Sequence, residues 1–152
     1  MDKNKFLILG IGNKFRSDDG AGVAAAERIK KFEIDKFDVK VLNGEGSEII
    51  ETWKGYDNVI VIDAVQKNGS AGKIHEINAN EEELQSDFFN YSSHAFGLAE
   101  AINVSRVINK LPKFLIVYGI EGEHFNFDTK LTGKIDKAVN KTAAMIKEKY
   151  GK

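Results

Sequence analysis

Apolar runs alternate with amphipathic segments along most of the chain, and the two periods separate strands from helices. Phe6-Leu7-Ile8-Leu9 continues through Gly10-Ile11-Gly12 and reads as a buried strand closed by a tight glycine turn. Val23 to Lys31 then has helical spacing, with Val23, Ala24, Ala26 and Ile29 on one face and Glu27, Arg28, Lys30 and Lys31 on the other. A short strand is predicted from Asp38 to Leu42. After the loop Asn43-Gly44-Glu45-Gly46, Ser47 is placed to cap a helix from Glu48 to about Lys54, which directs Ile49, Ile50 and Trp53 to the core. Asn58 to Ala64 carries Val59-Ile60-Val61-Ile62, the continuous apolar pattern of a strand buried on both faces, broken at its end by Asp63.

Downstream the pattern changes. Lys67-Asn68-Gly69-Ser70-Ala71-Gly72 is turn-rich, and Lys73-Ile74-His75-Glu76-Ile77 alternates as an antiparallel edge strand does. Glu81 to Leu84 fits one helical turn, and Phe88-Phe89 fits an anchor for an irregular segment over the sheet. Ser92-Ser93 should open a helix whose buried positions are Leu98, Ala101, Ile102, Ser105 and Ile108. Lys113 to Ile120 is the last strand, with Pro112 at its entrance, and Leu131 to Tyr150 is a closing amphipathic helix. Alternating strands and helices imply an α/β three-layer sandwich: a mostly parallel sheet with one antiparallel edge strand, helices on both faces, and a single domain over residues 1–152.

Composition narrows the function. With 22 basic and 23 acidic residues the net charge is −1, which leaves no electrostatic footprint for nucleic acid. The absence of cysteine removes disulfides, thiolate metal sites and a cysteine nucleophile, and is compatible with a reducing cytosol. No apolar run approaches the ~20 residues of a membrane helix, and Met1-Asp2-Lys3-Asn4-Lys5 leads directly into a strand. A cytoplasmic protein with no membrane insertion is expected.

The candidate chemistry sits at strand ends. Asp18 and Asp19 follow the first strand, Asp63 ends the third, and His94 falls at the start of the helix after the serine pair. In an open parallel sheet the crevice at the carboxyl ends of the strands is where ligands bind. Two carboxylates and an imidazole delivered there make a donor set for a divalent ion such as zinc or nickel rather than calcium. A first-turn position would also keep the His94 imidazole neutral, the form that ligates metal. Each residue has a plainer use: Asp18 or Asp19 as a helix cap, Asp63 as an acceptor for loop N–H groups, His94 as a structural histidine. His75 and His124 read as surface residues. Gly10 and Gly12 do not complete a dinucleotide fingerprint, because Phe15 and Asn43 stand where a third glycine and an acid are required. A receiver-type phosphoacceptor domain would share the acids but needs a hydroxyl residue at the end of its fourth parallel strand and a lysine at the end of its fifth; the last strand here ends in Tyr118-Gly119-Ile120.

Ile8-Leu9-Gly10-Ile11-Gly12-Asn13, Asp18-Asp19-Gly20-Ala21-Gly22, Val61-Ile62-Asp63-Ala64 and His94-Ala95-Phe96-Gly97-Leu98-Ala99, in that order and spacing, resemble the hydrogenase maturation endopeptidases. These proteases trim the C-terminal extension from the large subunit of nickel-iron hydrogenases. The resemblance implies a twisted, mainly parallel five-stranded sheet and a nickel-iron hydrogenase large-subunit precursor as partner. It implies metal-contact roles for Asp19, Asp63 and His94, with Asp19 or Asp63 as catalytic base unless the nickel polarises the water or carbonyl. Gly10, Gly12, Asn13 and Asp18 would support them. The nickel is expected to arrive with the substrate, and the same site would take an adventitious zinc or cadmium ion. The loop Asn43-Gly44-Glu45-Gly46-Ser47 departs from the family's usual acid, paired glycines and threonine, so its substrate-binding residues Asn43, Gly44, Glu45 and Gly46 are expected to set partner choice. A non-cleaving, nickel-sensing or chaperone-like module is the alternative use of the same fold.

Overall fold

Five strands form one mixed sheet: β1 (Phe6–Ile11), β2 (Phe37–Leu42), β3 (Asn58–Val65), β4 (Ile74–Asn78) and β5 (Phe114–Glu121), in the spatial order β2-β1-β3-β5-β4. They belong to a computed structural model that describes residues 4–65, 69–84, 94–123, 125, 128 and 130–152. β1 pairs in parallel with both β2 and β3, β3 pairs in parallel with β5, and only β4 runs antiparallel, against β5. The helices are α1 (Ala21–Lys30), α2 (Gly46–Trp53), α3 (Leu98–Val107) and α4 (Gly133–Tyr150).

Strand alternation assigns the two faces. Leu7, Leu9, Val59, Val61, Leu115 and Val117 pack with Ile49 and Trp53 of α2 and Leu98, Ala101 and Ile102 of α3. Ile8, Ile60, Ile62, Ile116 and Tyr118 pack with Ala25 and Ile29 of α1 and Ile135, Val139 and Ile146 of α4. This is the expected three-layer α/β sandwich, with Trp53 in the core. Asp63 lies between Val61 and Val65 in the alternation, so its side chain belongs to the α2 and α3 face. That placement makes it a neighbour of the segment carrying His94.

Several boundaries differ from those the sequence predicts. β3 runs two residues past Asp63, which pairs with Gly119 instead of ending the strand. α2 starts at Gly46, and its cap is Glu45, not Ser47: the Glu45 carboxylate accepts the N–H groups of Ser47 at 3.0 Å and Glu48 at 2.9 Å. α3 starts only at Leu98, where Glu100 reaches back to accept the Gly97 N–H at 2.9 Å. His94 therefore precedes the helix, and the dipole argument for its first turn does not apply. The helical turn expected from Glu81 to Leu84 does not form; the turn lies earlier, over residues 78–82, where the N–H groups of Glu81 and Glu82 both donate to the Asn78 carbonyl. Phe88-Phe89, Ser92-Ser93 and His124 lie outside the described residues.

Candidate functional site

The crevice at the carboxyl end of the sheet is fixed by topology. β1 lies between β2 and β3, so the chain leaves β1 toward one neighbour and later returns to the other, opening a gap between the β1 and β3 loops. A cleft of about 1150 Å³ occupies this place, and Asp19, Asp63 and His94 all line it, together with Gly12, Asn13, Asn43 and Gly44.

The turn after β1 is built to return the chain to the cleft. Gly12 has φ +146°, and a side chain there would collide with the Asp19 carbonyl oxygen. Asn13 then anchors the loop twice: its side-chain oxygen accepts the Phe15 N–H at 2.9 Å, and its own N–H donates to Asp19 Oδ2 at 3.1 Å. Ser17–Gly20 winds as a 3₁₀ turn that carries both aspartates. Gly22 allows α1 to sit directly on the strand ends, where a Cβ would lie 2.5 Å from the Ile11 carbonyl oxygen and would also strike that of Ile62. Gly10 serves the same approach from the sheet side, since a Cβ there would lie 2.5 Å from the Gly22 carbonyl oxygen.

The adjacent aspartates are turned to different partners. Asp18 is fully buried and accepts the Glu123 N–H at 2.8 Å, the Thr132 N–H at 2.9 Å and the Thr132 hydroxyl at 3.1 Å. It ties the loop after β5 and the start of α4 to the turn, and it does not line the cleft. Asp19 faces the cleft. Burial raises its pKa, opposed by the Asn13 N–H and the Arg16 charge. Asp63 is 8% exposed, and its pKa is raised well above the ordinary carboxylate range, first by burial and then by the charge of Asp19, against a smaller opposing effect of the Ala64 N–H. Two like charges in one desolvated place resist simultaneous ionisation. Asp63 is the member that holds its proton to higher pH.

The third wall comes from two loops locked together. Gly46 donates its N–H to the Phe96 carbonyl at 2.8 Å and packs under the Phe96 ring, which ties the 43–46 loop to the segment from His94 to Gly97. Asn43 and Gly44 reach the cleft, whereas Glu45 and Gly46 are used in starting α2. The two N–H groups it accepts lower the Glu45 pKa, with a lesser contribution from the charge of His94. The loop thus places an ionised carboxylate beside the histidine.

The donor set fits a divalent ion in chemical type, two carboxylates and an imidazole. Among the described residues, however, no group of three or more histidine, cysteine, aspartate and glutamate side chains is already drawn together to hold one. The cleft also gathers Glu48 and Glu100, in the first turns of α2 and α3, and Arg16. Acids in a first turn are a legible sequence signal, but their convergence depends on two helices starting at the same sheet edge. His75 differs from its expected surface role: its Nε2 lies 2.8 Å from Oε2 of Glu121, which is buried at the end of β5.

A doubly wound sheet with a pair of buried acids at its switch point describes a class of α/β enzyme clefts. Comparison with known proteins identifies the family. The model of the HycI family, hydrogenase maturation protease, matches residues 23–149, a span that takes in Asp63 and His94 and begins just beyond Asp19. The chain is 28% identical to the hydrogenase 2 maturation protease of Escherichia coli K12 over 152 residues, covering 95% of this chain and 92% of that one. The solution structure of an endopeptidase from Escherichia coli superimposes with a TM-score of 0.76 at 26% identity, over 95% of this chain and 93% of that one. The hydrogenase maturating endopeptidase HybD from E. coli gives 0.71 at 25% identity, again over 95% and 93%. The chain belongs to the hydrogenase maturation protease family and is a peptidase of that type.

Proposed function

We propose that this peptidase acts in the cytoplasm to remove the C-terminal extension of a nickel-iron hydrogenase large-subunit precursor after nickel has been inserted. The observation that carries the reading is the convergence of Asp19, Asp63 and His94 on one cleft at the switch point. In this reading the nickel belongs to the substrate, and the three side chains meet it as the precursor docks.

The electrostatics support such a checkpoint. Asp19 and Asp63 are held in a place where ionising both is unfavourable. A cation entering between them relieves the repulsion and favours release of a proton, so the full donor set forms only when the cargo is present. An unloaded precursor presents no such charge and gains no such binding, which makes its cleavage slower by the affinity difference. Hydrolysis further needs a group to take a proton from water and one to return it to the leaving amine. With both carboxylates ionised by the cation, Asp19 or Asp63 takes the proton from water and, protonated by that step, returns it to the leaving amine; burial raises the pKa of both, which suits a group that must hold the proton in between.

Asp19→Ala and His94→Ala are expected to lower trimming of the nickel-loaded precursor by at least ~100-fold with circular dichroism and melting temperature close to wild type. Trimming at the wild-type rate by both variants would sink the assignment.

A further inference from the structure

Two of the large hydrophobic side chains that the described residues leave exposed line the cleft: Phe15, 58% exposed, and Val41, 48% exposed. Exposed apolar side chains set in a concave, polar-rimmed surface mark a place where a partner's apolar group is buried. Phe15 is held ready for that. Its N–H donates to the Asn13 side chain at 2.9 Å and its carbonyl accepts the Asp128 N–H at 2.9 Å, so the backbone is fixed while the ring stays out. The Lys14 ammonium lies 5.7 Å from the ring centroid. Val41 is on the outer strand of the sheet, in register with Gly10, and alternation turns it toward the α1 side; Val23 of α1 also lines the cleft. Asp63 belongs to the opposite side of the sheet. The cleft therefore crosses the strand ends, taking Val41 from the α1 side and Asp63 from the other, and Phe15 lines it from the loop after β1, together with the charged Lys14, Arg16 and Glu27.

We infer that Phe15 and Val41 form a specificity subsite that takes an apolar side chain of the polypeptide substrate, in an extended segment next to the bond that is cut. The inference rests on reading this cleft as the peptidase site. It accounts for two exposed apolar residues that neither core packing nor the carboxylate chemistry requires. It also gives the enzyme a sequence-dependent contact separate from the charge-dependent one, so that recognition of the tail and recognition of the cargo are additive.

The test is the affinity of the full-length protein for a purified nickel-loaded large-subunit precursor, measured by titration calorimetry and accompanied by a separate trimming assay. Phe15→Ser is expected to weaken binding about tenfold, or ~1.4 kcal/mol, and Val41→Ser about fivefold. Phe15→Leu and Val41→Ile should stay within about twofold of wild type, and so should Val107→Ser, an exposed apolar position away from the cleft. Replacing the apolar residues that flank the cut by serine should weaken binding to wild type and add little to the loss in Phe15→Ser. Weakened binding with trimming upholds both readings. Weakened binding without any trimming upholds the apolar contact between the precursor and Phe15 and Val41 and overturns the reading of this cleft as the place where the bond is cut. Wild-type affinity in both folded serine variants overturns the subsite, as does a wild-type protein that does not bind the precursor, whatever the trimming assay shows.

Discussion

Asp18 and Asp19 share a turn and divide its work. Removing the Asp18 carboxylate leaves the N–H groups of Glu123 and Thr132 without their acceptor in a buried place, at ~1–3 kcal/mol for each. Asp18→Ala should therefore lower the unfolding free energy by about 2–4 kcal/mol in urea titrations, whereas Asp19→Ala, which frees the Asn13 N–H but also removes a carboxylate whose ionisation burial disfavours, should change it by no more than ~1 kcal/mol. Asp63 has a pH signature of its own. Burial and the Asp19 charge keep its proton on to higher pH in the folded protein than in the unfolded chain. The stability contributed by this group is full below the ordinary carboxylate range and is lost as pH rises through the folded-state titration. Asp63→Asn removes that loss, so its melting temperature should exceed wild type by about 3 °C or more at pH 8, with the gap closing near pH 4. A constant gap across pH would contradict the assignment. Asp63 was legible in the sequence because an acid inside an apolar run is hard to place otherwise. Which of the paired aspartates faces the cleft came only from the family resemblance, which put Asp19 at the site and Asp18 in support; local pattern does not separate them, since the burial of Asp18 depends on Thr132 and Glu123, more than 100 residues away in the chain.

At the level of elements, the periodic segments were legible and the helix starts were not. Strands and helices with long apolar faces appear where hydrophobic spacing predicts them. The starts of α2 and α3 were displaced because glutamates do the capping: Glu45 bonds forward to Ser47 and Glu48, and Glu100 bonds back to Gly97. Serine attracts a cap assignment by its usual preference, and Ser47 follows the true cap by two residues. The displacement matters for function, because it moves His94 off the helix and into a loop pinned by the Gly46 to Phe96 hydrogen bond. The His75 and Glu121 pair escaped notice for another reason: it bridges β4 and β5, whose register no local pattern specifies. The tightest element contact is α1 on the strand ends. Gly22→Ala forces a Cβ against the carbonyl oxygens of Ile11 and Ile62, both backbone atoms with no rotamer to yield. It should cost at least ~3 kcal/mol by urea unfolding, and an unchanged midpoint would contradict this packing.

For the whole molecule, the site follows from the strand order. Placing β1 between β2 and β3 opens the crevice, and the loop after β1, the end of β3 and the segment before α3 each deliver one side chain to it. No helix among the described residues is long and apolar enough to cross a membrane. The mixed sheet and its helical layers were legible from the alternation of patterns along the chain. The strand order was not, because alternating patterns are compatible with more than one winding, and it is the order that turns three distant residues into a site. On the proposed function, this cleft cuts a precursor only when the precursor carries its nickel. Intact-mass spectrometry of one purified large-subunit precursor, incubated with the protein in nickel-loaded and nickel-free forms, tests it most directly. Loss of the C-terminal extension's mass is expected from the loaded form alone. An unchanged mass in the loaded form, or equal trimming of both forms, would contradict it.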